Sequence, residues 1–248
     1  SMRNEIRIGN FTSSEIGAIM SNGKANGALG APALTYINEC NMERRLGRHL
    51  DNEASARPTS WGNLCERQVS SMLPLEYSAV SKETLLHPSF DYWAGSPDTI
   101  IYQADTRAVG DIKCPFTLKS FCTLVDAWHK GGIKAIRESH KDGEKYFWQL
   151  VSNACITGCA HAELIVYAPY KSELAAIRAL TETAEYKNDV YSWMTYADDN
   201  ALPWLPDGGF YKNLNKFRFE ISKEDKEALT KRVEFCGSML VQPVLISA

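Results

Sequence analysis

No stretch of this 248-residue sequence approaches the roughly 18 to 20 uninterrupted apolar residues of a membrane-spanning helix. Its start, through Arg3, Asn4, Glu5, Ile6 and Arg7, lacks the apolar centre of a secretory signal, so a soluble, cytoplasmic protein is expected. Ser1 and Met2 read as a cloning remnant. Neither sign of charge is in marked excess: 27 Lys+Arg against 30 Asp+Glu leave a net charge of -3, which excludes a whole-molecule positive field. Any nucleic-acid surface has to be local. The seven cysteines are odd in number and dispersed, which argues for reduced thiols, and Cys155-x3-Cys159 has no matching second pair for zinc or iron-sulfur ligation. His49, His87, His129, His140 and His161 form no metal-ligand spacing, and there is neither a Walker loop nor a G-x-G-x-x-G. What remains is an ordinary globular mixture, with 44% hydrophobic and 23% charged residues, suited to one large domain over 1–248.

Periodicity divides the chain. Thr12 with Glu15 three residues on has the capping-box pattern and predicts a short helix, with Ser14 in its first turn. A Gly/Asn/Ala-rich loop from Ser21 to Pro32 precedes a helix over about Leu34 to Leu46. A link from Asp51 to Pro58 leads to a helix from about Trp61 to Leu73, with Trp61, Leu64, Cys65, Val69 and Met72 at helical spacing. From Thr84 to Cys114 short apolar runs separated by Pro, Gly, Asp and Ser predict a small, mainly antiparallel sheet. Helices are expected over about Leu118 to Trp128, Ile133 to His140 and Lys145 to Thr157, then a doubly buried strand, Ala162 to Ala168. The stretch from Tyr170 to Asn215 reads as one helix, Ala175 to Leu180, and irregular structure. Its part from Glu173 to Asp199 carries six acids against two bases, as suits a face turned from DNA. Lys216 to Ile221 alternates as a strand, and Ser222-x-x-Asp225 opens a last helix to about Leu240. The order implies an α/β (α+β) fold with one central mixed sheet flanked by helices.

Chemistry concentrates at Glu66, Asp98, Asp111 and Lys113. Strand alternation puts Asp111 and Lys113 on one face and Ile112 on the other. Asp98 follows Pro97 at the end of the preceding hairpin and can reach the same spot. Carboxylates so close repel unless a cation neutralises them, and hard oxygen ligands select Mg²⁺ or Mn²⁺. Such a metal activates water and neutralises phosphate charge while a neighbouring lysine orients or deprotonates the nucleophile, which is phosphodiester hydrolysis. Taken alone, D-x-K on a strand is more often a solvated ion pair.

Read together, the blocks resemble the YqaJ-like, bacteriophage lambda exonuclease family of the PD-D/ExK nucleases, with their restriction-endonuclease-like core. Ser60-Trp61-Gly62-x3-Glu66 is similar to that family's A-W-G-x3-E, Ser96-Pro97-Asp98 to its S-P-D, and Asp111-Ile112-Lys113-Cys114-Pro115-Phe116-Thr117 to its E-L-K-C-P-F-T. Gly131-Gly132-Ile133-Lys134-Ala135-Ile136 resembles G-G-F-E-A-I, Tyr146-x2-Gln149 resembles Y-x2-Q, and Arg7-Ile8-Gly9-x2-Thr12-x-Ser14-Glu15 resembles R-L-G-x2-T-x-S-E. The matches are collinear from Arg7 to about Ala168.

The resemblance implies a phage-type exonuclease that degrades the 5′ strand of linear duplex DNA to leave a 3′ overhang for recombination. It implies Mg²⁺ or Mn²⁺, two per site, on Asp98, Asp111 and the Ile112 carbonyl, with Glu66 serving the second position. Lys113 would position the attacking water, and Arg7, Ser14, Ser96 and Gln149 would grip a 5′-phosphate, with Arg44, Arg45 and Arg48 as the alternative. A ring-shaped homotrimer, a single-strand annealing partner and a phage or prophage origin in a bacterial cell follow in the same way. The bases from Lys119 to Lys145 would track DNA phosphates. Asp111 stands where the family has Glu, Thr99 where it has Gly, and Thr59 near its strand-separating wedge, for which Tyr36, Met42 and Leu46 are other candidates. The stretch 170–215 is an unmatched insertion. A structure- or sequence-specific endonuclease on the same core and a catalytically dead DNA-binding module are the competing readings.

Overall fold

A five-stranded mixed sheet forms the centre of the computed structural model, which describes residues 2–50, 56–79 and 83–243. Its strands are β2 (Tyr77–Ala79), β5 (Thr99–Gln103), β6 (Thr106–Lys113), β7 (His161–Tyr167) and β8 (Leu214–Glu220), in the order β2-β5-β6-β7-β8. Pairing is antiparallel except between β6 and β7, which run parallel. A parallel pair needs a long crossover. Here it consists of α4 (Leu118–Ser139) and α5 (Gly143–Thr157).

Alternation along these strands makes two apolar layers. Val109, Leu164, Val166 and Phe217 face a cluster shared with α4, α5 and α8 (Lys223–Gly237). Ile112, Ile165 and Tyr167 face α3 (Arg57–Met72), α6 (Leu174–Leu180) and α7 (Asp189–Tyr196). On α3 the predicted apolar stripe is buried, with Leu64, Cys65 and Val69 fully enclosed. Truncating Leu64 to Ala would cost about 2–5 kcal/mol. α3 begins at Arg57, earlier than its apolar stripe indicates, because Pro58 suits a first helical turn. The link predicted over Asp51 to Pro58 otherwise lies largely outside the described residues.

Two local expectations are corrected. The residues from Thr84 to Cys114 do not make one meander. β3 (Leu85–Leu86) and β4 (Trp93–Gly95) leave the central sheet and form a second, three-stranded one in the order β1-β4-β3, with β1 (Phe11–Thr12) parallel to β4. Nor does Thr12 cap a helix. Its N–H donates to the Tyr36 hydroxyl at 2.9 Å, and the flanking Phe11 and Ser13 N–H groups bond to Tyr92 and Ala94 carbonyls. Sheet pairing takes the residues a cap would have used, so a 3-10 turn over Ile16–Met20 follows Glu15 without a side-chain cap.

The Ser222 signal acts as read, and a second cap appears at Thr117. Ser222 accepts the Asp225 N–H and starts α8, while Thr117 accepts the Ser120 N–H and starts α4. The two helices predicted on either side of 129–132 are both present in α4, which breaks between them at Gly131 and Gly132, where Gly132 takes φ +65° and glycine is favoured. α2 (Ala31–Leu46) starts behind Gly30 with Pro32 in its first turn. In the insertion the structure adds α7, whose start is capped by Asn188 on the Val190 N–H.

Candidate active site

The β5–β6 hairpin sets the site. Thr99 pairs with Gly110, and the Asp98 N–H reaches the Gly110 carbonyl at 3.1 Å, so Asp98 lies beside Asp111. Gly110 makes this pairing possible: a Cβ there would come within 2.4 Å of the Thr99 methyl. Thr99, which stands where the resembling motif has glycine, has room for its methyl because Gly110 opposite carries no side chain. Asp98 Oδ2 accepts the Ile112 N–H at 2.7 Å.

Asp111 is 2% exposed. Its Oδ2 lies 2.8 Å from the Lys113 ammonium, and its Oδ1 accepts from Gln149 Nε2 at 3.1 Å. Gln149, from α5, turns its other end to Lys113, whose Nζ donates to Oε1 at 3.0 Å. Sequence reasoning had set Gln149 among the phosphate ligands. In this structure its amide bonds the Asp111 carboxylate and the Lys113 ammonium. Tyr146, one turn earlier on α5, presents its ring face to Lys113 at 4.7 Å. The Y-x2-Q match contained this tyrosine, but its role became visible only in the packed structure.

Burial first, then the Asp111 and Glu66 carboxylates, hold the Asp98 carboxyl well above the ordinary aspartate range. Burial by itself would push the Lys113 ammonium down, yet the adjacent Asp111 carboxylate overrides it and holds Lys113 above the ordinary lysine range. Lys113 thus stays charged at neutral pH. In that form it can donate and orient.

Among the described residues no three His, Cys, Asp or Glu side chains converge closely enough to hold a metal ion. The donor chemistry nevertheless fits a hard cation. Burial and the neighbouring Asp111 and Glu66 carboxylates disfavour the charged form of Asp98, and Asp111 Oδ2 is a buried oxygen that lies 2.8 Å from the Lys113 ammonium without an aligned hydrogen bond, an arrangement a hard cation would relieve.

A second cluster adjoins the first. Arg7 donates to Ser96 Oγ at 3.2 Å and to Ser14 Oγ at 3.3 Å, and Ser96 shares a further 3.1 Å hydrogen bond with Thr84, a residue the sequence did not single out. Ser96 and Asp98 are separated only by Pro97, so the clusters lie within about 7 Å along the backbone. Arg7 and Ser14 line a cleft of about 730 Å³ that also includes Arg48. The support expected for Ser14 from a capped helix is absent, since Ser14 precedes a 3-10 turn; its link to Arg7 replaces it.

Other candidates are given structural work. Arg44 is spent on Gly9, Asn10 and Val241. The Tyr36 hydroxyl is held by Thr12, while Met42 and Leu46 stand exposed on α2. His87 stacks on Trp93, and His140 bonds Ser120. Arg137 pairs with Glu144, whereas Lys119, Lys130, Lys134 and Lys141 are exposed.

The fold is similar to that of LHK-Exo, an alkaline exonuclease from Laribacter hongkongensis. Two of its crystal structures, one in complex with dAMP, match with TM-scores of 0.55 and 0.57 at 18% identity, covering 94% and 95% of this chain and 88% and 90% of that one. A phage related exonuclease from Haemophilus somnus 129PT matches with a TM-score of 0.57 at 15% identity, over 93% of this chain and 92% of that one. At these identities the likeness establishes the fold. No protein of curated function matches the sequence. The pattern of the YqaJ-like viral recombinase domain matches residues 4–160, more than half of the sequence, and the chain belongs to that family.

Proposed function

We propose that this chain is a divalent-metal-dependent DNA exonuclease of phage type. It hydrolyses the 5′ strand of linear duplex DNA and leaves a 3′ single-stranded overhang for recombination. The observation that carries this reading is the juxtaposition of the Asp98–Asp111–Lys113 cluster with the Arg7–Ser14–Ser96 corner across a single proline. One cluster suits hydrolysis and the other suits a terminal phosphate. The family membership and the names of the similar folds, an alkaline exonuclease and a phage related exonuclease, support it.

Arg7 provides a planar fork for a 5′-phosphate, with the Ser14 and Ser96 hydroxyls as further donors. Asp98, Asp111 and the Ile112 carbonyl would hold Mg²⁺ or Mn²⁺, with Glu66 serving a second position. Bound there, the metal would acidify water and neutralise charge on the scissile phosphate. Lys113, kept charged by Asp111, orients the attacking water, and Gln149 and Tyr146 hold Lys113 in place.

In the same reading the exposed lysines of α4 and its C-terminal turn follow DNA phosphates, three copies form a ring around the product, and a single-strand annealing protein takes the overhang. The setting is a bacterial cytoplasm, with the gene in a phage or prophage. A gel of end-labelled linear duplex against closed circular DNA, with Mg²⁺, tests the activity. Loss of the linear substrate from its 5′ ends with the circle intact is expected, and cutting of the circle would favour an endonuclease. Light scattering tests the ring: one chain's mass, unchanged by DNA and Mg²⁺, would exclude it.

A further inference from the structure

Phe210 is 89% exposed, yet the loop that carries it is pinned on both sides. Before it, Leu205 exchanges backbone hydrogen bonds with Pro169 and Lys171, and Asp207 accepts from both the backbone and the hydroxyl of Ser172. Gly208 turns the chain at φ +69°. After it, the Tyr211 hydroxyl donates to the Asp126 carboxylate at 2.9–3.0 Å, and its ring meets Phe121 of α4 edge-on at 6.1 Å. The Phe210 ring stands against that fixed neighbour at 5.0 Å between centroids and 84° between planes. Scattered exposed aromatics need no explanation. An aromatic whose backbone and neighbouring ring are fixed while its own faces are open is different, because much of the ordering cost of a contact is already met.

The sheet register says where this ring sits. Lys113 is opposite Val166, and Val166 is opposite Asn215, so Lys113 and Asn215 occupy one row across three strands, about 10 Å apart. The loop ending at Asn213 therefore leaves the sheet at the same end as the catalytic strand. It packs on α4, which begins just after the D-x-K strand. Five residues from Asn215 to Phe210 add at most about 17 Å. Exposed Lys212 on the loop and exposed Lys119 on the first turn of α4 offer ammonium groups at this corner, where Asp207 is engaged by Ser172 and Asp126 by Tyr211, and Leu118 adds exposed apolar surface. Lysines around a bare ring match a nucleic-acid strand, with phosphates for the ammonium groups and a base for the ring.

We propose that Phe210 is a stacking platform for an unpaired base of the 3′ strand left single-stranded beside the active site. This rests on the nuclease reading above and assigns to the insertion a share in holding single-stranded DNA. Stacking on one aromatic is sequence-tolerant, since every base has a π face. A cutter of arbitrary DNA ends needs such a contact.

The test uses the full chain in EDTA, so that binding is read without cleavage. Duplexes with a single-stranded 3′ tail carry 5-iodouracil at successive tail positions, and photocrosslinks are mapped by mass spectrometry. A crosslink to Phe210 is expected at one or two tail positions. Phe210→Ala should weaken binding of the tailed duplex about five- to a hundred-fold, the span of base–aromatic stacking, with blunt duplex much less affected. Phe210→Trp should restore binding, and Phe210→Leu should not, although both replace the apolar surface. Equal affinity of wild type and Phe210→Ala, or crosslinks mapping only elsewhere, overturns the assignment. So does a Phe210→Ala variant whose mass by light scattering differs from wild type, because the ring is then a contact between copies. Cleavage by the wild type in Mg²⁺, scored separately, tests the nuclease reading, so failure of one is distinguishable from failure of the other.

Discussion

The ammonium of Lys113 lies 4.7 Å from the centroid of the Tyr146 ring and also touches Asp111 at 2.8 Å and Gln149 at 3.0 Å. Three groups from two elements thus fix one flexible side chain. A cation over an aromatic face contributes about 0.5–2 kcal/mol, more as it is desolvated. Tyr146→Leu is therefore expected to lower kcat about 2- to 30-fold with KM on linear duplex little changed, and Tyr146→Phe should retain most of the rate. Steady-state kinetics of both variants check this. Equal kcat for Leu and wild type would remove Tyr146 from the positioning of Lys113.

Lys113→Ala should cost on the order of 10² or more in kcat while DNA binding is largely kept, since its contribution falls on the attacking water. Asp98→Ala and Asp111→Asn should abolish cleavage in Mg²⁺ with the fold intact by circular dichroism. EDTA should silence the wild type, and Ca²⁺ should bind without supporting turnover because its loose coordination suits in-line displacement poorly. Undiminished hydrolysis in EDTA would falsify the metal mechanism.

The raised Asp98 carboxyl makes stability depend on pH with a definite sign. Between the ordinary aspartate value of about 3.9 and its raised native value, the folded state keeps a proton that the unfolded state has lost. This contribution is present at low pH and disappears as pH rises through the native value. Asp98→Asn is expected to flatten that part of the pH–stability curve and to stabilise the metal-free protein near neutrality. Mg²⁺ should recover the loss in wild type more than in the variant, as a ligand binding only the folded state does. Denaturant titrations from pH 4 to 8, with and without Mg²⁺, read all three effects. A variant as pH-dependent as wild type would contradict the assignment.

Arg7 donates to two serine hydroxyls, those of Ser96 and Ser14. Losing a charge-assisted phosphate contact costs about 1.5–3 kcal/mol, about ten-fold or more. Wild type should prefer 5′-phosphorylated to 5′-hydroxyl duplex by that factor, and Arg7→Ala should lose the preference. Equal selectivity in both proteins would dismiss the corner as a phosphate site.

Gly110 and Thr99 face each other across the hairpin that aligns Asp98 with Asp111. The Cβ of Gly110→Ala would have to displace the Thr99 methyl, an overpacking that costs about 1–3 kcal/mol. Activity should fall with stability, and adding Thr99→Gly should recover both in part. Thermal melts of the two single variants and the double variant decide it through their non-additivity.

How much of this was legible in the sequence follows from the range over which each feature is determined. The alternation around Ile112, the apolar stripe of α3 and the Ser222 cap are properties of a few neighbouring residues, because a strand's two-residue period and a helix's turn dictate which side chains share a face. Those residues alone determined that Asp111 and Lys113 share a face and which apolar layers lie on either side of it. Thr12 shows the limit: its cap pattern was present, but pairing with a strand eighty residues away took precedence. The Arg7–Ser96 contact spans 89 residues, and Gln149 reaches Asp111 over 38. Such contacts leave no local period. They exist because packing brings segments distant in the chain into one buried volume, where each polar group must find whichever partner the fold places beside it. For the same reason the amide of Gln149 bonds to Asp111 and Lys113, and Phe210 is carried by a pinned loop at the Lys113 end of the sheet. Tertiary structure alone decided both.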